Sequence, residues 1–214
     1  MKGVQKILFS ILSLLFLYKT SFTQKPDISI LQLRAPDTFK AVFKTSKGDF
    51  IIEAQRKWSP LGVDRLYQLI SSGFYTNALF FRVEQDFVIQ FGIADNEVTN
   101  RFWDPKKLQD EPQIIKNTKG MISFARGGKN NRCTQLFIST VDNIKLDTTF
   151  RGGVKGYTPI ARVIKGINIL TKLNGKYGKT PGTVQDSLYK YGNSYFEQKF
   201  PGLDRILAVK IIKL

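Results

Sequence analysis

Phe80-Phe81-Arg82-Val83-Glu84-Gln85-Asp86-Phe87-Val88-Ile89-Gln90-Phe91-Gly92 is the stretch on which the reading of this chain turns. Leu79–Val83 and Phe87–Gly92 are short aromatic and β-branched runs around a polar centre, the pattern of two paired strands. In extended backbone, residues two apart share a face. Val88, Gln90 and Gly92 are therefore expected on one face, and Phe87, Ile89 and Phe91 on the other. A glutamine does not belong inside an apolar barrel, but facing a groove it offers a donor and an acceptor. Arg82, set between apolar neighbours on the preceding strand, poses the same question. Spacing alone leaves open that both are ordinary surface residues.

Upstream, Ala41-Val42-Phe43-Lys44 and Phe50-Ile51-Ile52-Glu53 flank Ser46-Lys47-Gly48-Asp49. Gly48 tolerates a positive φ, so this reads as a hairpin. Ser59-Pro60 marks a helix start, with Ser as N-cap and Pro at the first helical position. Val63, Leu66, Tyr67 and Ile70 then make one buried face, and Gly73 ends the helix. Downstream, Met121–Ala125, Thr134–Thr140, Pro159–Ile164 and Arg205–Leu214 read as further strands. A second helix is expected at about Gly166–Leu173, followed by a loop marked by Gly175, Gly178 and Gly182. Many short strands with two distant helices predict a closed or nearly closed antiparallel barrel capped by helices, the last strand pairing near the first. Gly127-Gly128 and Gly152-Gly153 read as turns, since neither sits in a strand–loop–helix phosphate cradle.

Composition narrows the chemistry. The 214 residues include no histidine and one cysteine, Cys133. Histidine-dependent triads, Cys–His pairs and His-ligated metals are excluded, as are intramolecular disulfides and cysteine-cluster zinc sites. No cofactor or metal is expected. Cys133 lies in a polar loop and reads as an ordinary exposed or half-buried thiol. The net charge is +16, with Lys and Arg scattered rather than massed. This reads first as a solubilising surface, with weak attraction to polyanions as the alternative and no specific nucleic-acid binding. Lys2 and Lys6 precede an uncharged apolar run, Ile7–Tyr18, and Ser21-Phe22-Thr23 supplies small residues two apart. Residues 1–24 therefore read as a signal peptide, too short in its apolar part to span a bilayer. The expected organisation is a signal peptide over 1–24, a lead-in over 25–40 and one folded domain over 41–214. The product is expected to be exported, periplasmic or secreted, and monomeric.

The chain resembles the cyclophilin-type peptidyl-prolyl cis-trans isomerases, of the kind found in bacteria. The likeness rests on Phe43–Phe50, Ser59–Tyr67, Ser72–Tyr75, the Phe80–Gly92 signature, Gly120–Ala125, Thr134–Ile138 and Gly192–Ile206, all in order. The last of these is similar to the tail of longer members. The resemblance implies an eight-stranded antiparallel barrel capped by two helices, with a substrate groove on its outside. It makes Arg82 the catalytic arginine and Gln90 a catalytic groove glutamine, with Gln135 a second groove glutamine. Phe87, Phe137 and Leu146 become the apolar wall of a proline pocket, and Val88 a pocket residue. Ala125, Arg126 and Gly127 become the rim that pairs with substrate backbone. Tyr157 stands where many eukaryotic members have a pocket His, Ile160 where they have a groove-floor Phe, and Lys145 where they have a Trp. The implied substrates are proline-containing peptides and unfolded proteins. The implied activity is rotation about X-Pro bonds during folding in the cell envelope. A chaperone that grips Pro-containing segments with little turnover is the alternative.

Overall fold

The structure, a computed structural model, describes residues 26–212; the segment read as a signal peptide lies outside these residues. The predicted hairpin is present as β1 (Thr38–Thr45) and β2 (Gly48–Gln55), with Thr45 opposite Gly48 across a two-residue turn. Its alternation is a clean sorting of faces. Phe39, Ala41 and Phe43 on β1, and Phe50, Ile52 and Ala54 on β2, are all buried. Helix α1 (Pro60–Ser71) follows, then β3 (Arg82–Val83), β4 (Val88–Phe91) and helix α2 (Glu97–Trp103). Next come β5 (Met121–Phe124), β6 (Leu136–Ser139), the one-turn α3 (Lys145–Thr148), the small hairpin β7 (Phe150–Arg151) and β8 (Val154–Lys155), and β9 (Pro159–Lys165). The chain ends with the one-turn α4 (Ile167–Leu170), a 3₁₀ turn (Thr180–Val184), helix α5 (Gln185–Lys199) and β10 (Ile206–Ile212).

Eight strands form one antiparallel sheet in the order β10-β1-β2-β9-β5-β6-β4-β3. The last strand does pair with the first, Ala41 facing Ile211. The sheet is an open, curled half-barrel rather than the closed barrel expected. No ladder joins the edge strands β3 and β10. Among the described residues an isolated bridge, Leu79 to Arg205, crosses the gap, with Phe80 N–H to Asp204 C=O and Ile206 N–H to Ala78 C=O at 2.9 Å and Asn77 N–H to Ile206 C=O at 2.8 Å. β3 is two residues long, too short to continue the ladder.

The register puts residues in rows that decide what is core and what is surface. Val83, Ile89, Ile138, Ile122 and Ala161 oppose one another from β3 through β4, β6 and β5 to β9, and all are buried in the main core. The neighbouring row, Arg82, Gln90, Phe137 and Ser123, faces the other side. A one-residue slip would exchange the two rows, so the isoleucine row fixes the placement of the polar one.

Helix α1 closes one end of the half-barrel with Val63, Leu66 and Leu69 fully buried. Its C-terminus is as expected: Gly73 has φ +71°, and the N–H groups of Gly73 and Phe74 reach the carbonyls of Ile70 and Leu69 at 3.0 Å, a Schellman closure. Its N-terminus is capped differently. The Ser59 hydroxyl makes no capping bond. Instead the carboxylate of Glu111 accepts from Leu61 N–H (2.7 Å) and Gly62 N–H (3.0 Å), with Ser59 Oγ and the buried Arg132 guanidinium on the same group. A full negative charge at a helix N-terminus does more than a hydroxyl can.

The second expected helix shrinks to the single turn α4, though Leu170 and Leu173 still plug the core. The larger helical mass lies beyond it. Phe80 and Phe81 point to opposite faces, Phe80 into the main core and Phe81 into a second apolar cluster with Leu79, Ile93, Leu188, Phe196 and Leu203. The segment carrying α5 thus covers the outer side of the Phe80–Arg82 stretch. The lead-in also packs on the domain. Gln68 Nε2 donates to the carbonyls of Leu31 (3.1 Å) and Leu33 (2.9 Å), and Ala35 N–H to Asp64 (3.0 Å). β1 starts at Thr38, three residues before the boundary expected from sequence.

Candidate active site

The outward row opens onto a cavity of about 640 Å³ on the outer face of the half-barrel. One half of it is apolar. Val88, Phe137, Leu146 and Tyr157 form a small buried cluster, with Phe87 and Ala125 packed against it. Phe137 meets Tyr157 edge to face, centroids 5.5 Å apart, a favoured geometry for aromatic pairs. Phe87 is on this side, contrary to the alternation read from sequence. β4 begins at Val88, so strand periodicity does not govern the turn residue before it.

Arg82 stands at the edge of that pocket. Its guanidinium carbon lies 5.4 Å from the Phe87 ring centroid, its Nε donates to Glu84 at 2.5 Å, and an Nη reaches toward Gln90 Oε1 at 3.5 Å. Glu84 holds the fork in place and leaves Nη hydrogens toward the groove. The polar half continues as a chain of amides. Gln90 Nε2 donates to Gln135 Oε1 at 2.7 Å, and Gln135 Nε2 donates to Gln185 Oε1 and Tyr189 Oη, both at 3.0 Å. Both hydrogens of the Gln135 amide are therefore spent within the protein, whereas Gln90 keeps one N–H free. Gly92 lets these strands approach: with φ +109°, a Cβ there would sit 2.5 Å from Thr134 C=O and 2.7 Å from Gln135 Cα.

The rim is Ala125, Arg126 and Gly127. Ala125 N–H binds Gln135 C=O at 2.9 Å. Arg126 is buried; it donates to the carbonyls of Arg151 (3.1 Å), Val154 (3.3 Å) and Gly156, and its guanidinium carbon lies 4.5 Å from the Tyr157 ring centroid. It thereby ties the β7–β8 hairpin to the groove, and burial draws its pKa below the usual guanidinium value. Gly152 presses on the same rim, where a Cβ would meet Gly127 C=O at 2.6 Å.

The structure gathers Arg82, Phe87, Val88, Gln90, Ala125, Arg126, Gly127, Gln135, Phe137, Leu146 and Tyr157 around one cavity. Ile160 is the exception: it is fully buried in the main core and does not line the groove. Lys145 is exposed at the start of α3 and is likewise not a lining residue. Cys133, expected at least half exposed, is buried and donates to Trp103 C=O at 3.1 Å; burial pushes the thiol pKa up. Sequence reasoning missed Gln185 and Tyr189, which lie between the expected glycine-marked loop and the tail-like Gly192–Ile206. Leu188 and Phe196, the buried apolar residues of α5, were the available signal.

Residues 40–190 match the family described as cyclophilin type peptidyl-prolyl cis-trans isomerase/CLD. The chain belongs to this family. It is 27% identical over 143 residues to peptidyl-prolyl cis-trans isomerase A of Dickeya dadantii, covering 66% of this chain and 74% of that protein. It is 29% identical over 148 residues to peptidyl-prolyl cis-trans isomerase B of Escherichia coli, covering 67% and 89%. Relatives from Arabidopsis thaliana and Dictyostelium discoideum match as well, so the family is shown without a bacterial branch. Among solved structures, a Cryptosporidium parvum cyclophilin type peptidyl-prolyl cis-trans isomerase, crystallised in the presence of the dipeptide Ala-Pro, superposes with TM-score 0.61 at 19% identity. That superposition covers 82% of this chain and 99% of the other, a likeness of fold.

Proposed function

We propose that this cyclophilin accelerates rotation about X-Pro bonds by holding the proline ring against Phe87, Val88, Phe137, Leu146 and Tyr157 while Arg82 stabilises the twisted amide. The observation that carries this reading is the row Arg82–Gln90–Phe137, which sets a charged donor directly beside an apolar pocket. Rotation about a peptide bond is opposed by a barrier of about 18–20 kcal/mol, arising from amide resonance. Twisting removes that resonance and returns a lone pair to the proline nitrogen. A guanidinium N–H aimed at that nitrogen binds the twisted form better than the planar one, which is catalysis by differential binding. No proton is transferred, so a chain without histidine loses nothing. The free N–H of Gln90 can hold a substrate carbonyl while the bond turns.

The test is NMR exchange spectroscopy on an Ala-Pro peptide. Arg82→Ala should slow turnover at least about tenfold, in line with the roughly 100-fold or greater losses for comparable transition-state donors. Unchanged turnover in a folded variant would sink the mechanism and leave the gripping, non-catalytic reading of the groove. The basic start and short apolar run of residues 1–24 support export of a bacterial-type enzyme to the cell envelope as its site of action. Mass spectrometry of the native protein should find a mature start near Gln24, and retention of Met1 or Lys2 would overturn this.

A further inference from the structure

The residues lining the groove carry five cationic side chains, Arg82, Lys107, Arg126, Arg151 and Lys179, and no carboxylate. Two of the five are answered by acids just outside: Glu84 takes Arg82 and Asp104 takes Lys107, at 2.5 and 2.6 Å. The other three have no carboxylate within salt-bridge distance among the described residues. Arg126 is the most telling, because its charge is buried and its hydrogen bonds all go to neutral carbonyls. Arg151 and Lys179 are exposed and stand on opposite lips. The backbone carbonyl of Arg151 binds Arg126 at the Gly127 rim. Lys179 belongs to the turn that packs on Arg82's strand, with Gly178 C=O accepting from Val83 N–H at 3.2 Å and Gly182 against the Arg82 side chain. At the α5 end, both N–H groups of the Gln135 amide are already used. A concave, partly apolar site lined by one sign of charge focuses its field on whatever enters.

We propose that the groove selects X-Pro segments bearing an acidic side chain beside the proline, with Arg151 on one lip and Lys179 on the other as the anion-facing groups and the buried Arg126 adding its charge to the field between them. This rests on the isomerase reading of the same groove. Arg126 is unsuitable for testing by removal, since it holds the β7–β8 hairpin; Arg151 and Lys179 carry no ion pair and serve instead.

The experiment compares short peptides with Glu, Gln or Lys immediately before or after proline. Turnover is read by NMR exchange and affinity by chemical-shift titration. At low ionic strength the Glu peptides should exceed the Lys peptides by about fivefold or more in kcat/KM or affinity, what one or two partly exposed charge pairs supply. The ratio should shrink as salt is raised to roughly 0.5 M, where screening takes over. In Arg151→Gln/Lys179→Gln it should fall toward one. A Glu-to-Lys ratio within twofold of one at low salt overturns the proposal, and so does equal binding of a Glu peptide whose proline is replaced by alanine. If no peptide is turned over, the isomerase reading fails while the titration still reads the charge preference.

Discussion

At one end of the groove, Phe87, Val88, Phe137, Leu146 and Tyr157 are held by contact with one another. At the other, Arg82, Gln90 and Gln135 are held by a line of hydrogen bonds that finishes on Gln185 and Tyr189 of α5. The apolar end is fixed by packing, which is non-directional, and its residues come from β4, β6, the one-turn α3 and the loops beside them. The polar end needs donors and acceptors in the right order, and a separate helix fixes the orientation of two amides. The same cavity is therefore shaped by volume on one side and by hydrogen-bond direction on the other. The two ends should fail in different ways.

Phe137→Ala should give the largest effect. It removes the ring that the apolar end is built around, and Phe→Ala in a packed site costs about 3–5 kcal/mol. Because Phe137 borders the cavity, we expect the low end of that range in urea unfolding and a rise in KM for X-Pro peptides. A variant with full stability and unchanged KM would show that the apolar cluster does not hold the ring. Gln185→Ala combined with Tyr189→Phe should act more gently. It takes both acceptors from the Gln135 amide, each bond worth about 0.5–1.5 kcal/mol net, and frees Gln135 and Gln90 to turn over. Turnover should fall roughly threefold with KM little changed. Gln185→Glu alone, which keeps an acceptor, should stay near wild type. Equal losses in Gln185→Glu and Gln185→Ala would mean that α5 matters for packing alone.

The pH response separates the ends further. Burial raises the pKa of Tyr189 above its ordinary 10.0. The group is an acid whose folded pKa lies above its unfolded one. Its contribution to stability is full below about pH 10 and is lost as pH rises through the folded value. Turnover should thus be insensitive to pH between roughly 6 and 9, and only above that range should burial of the phenolate cost stability at the polar end. The smallest effect concerns Cys133. With its pKa raised by burial from 9.0, the thiol should react with iodoacetamide far more slowly at pH 8 than a free thiol does. Rapid labelling of the native protein would show that the loop opens.

How much of this was legible in the sequence follows from the same division. Period-two alternation exposed the β1–β2 hairpin, and a 3.6-residue period with Pro60 and Gly73 exposed α1. Alternation also put Gln90 and Ile89 on opposite faces, which is how the register places them. It failed at Phe87, where the strand has not yet begun. The Glu111 cap was out of reach because the acid is fifty positions from the helix it serves. Ile160 is an inward residue of β9 in a place where the family likeness implied a groove floor. Helix α5 was hidden by its many polar residues and by Gly192, whose φ of +70° and ψ of −171° break it in two. It is held in place by the outward-facing Phe81, a long-range partner that local pattern cannot reveal.

The pairing of β1 with β10 has a consequence for synthesis. Ala41 leaves the ribosome 170 residues ahead of its partner Ile211. Until that partner follows, β1 presents a bare row of amide and carbonyl groups on one side of a finished hairpin, a template for pairing with another chain. The bridge from Leu79 to Arg205 waits for the same late segment. A nascent or prematurely terminated chain thus remains open at both of its seams, and such a chain is a natural target for holdases and proteases.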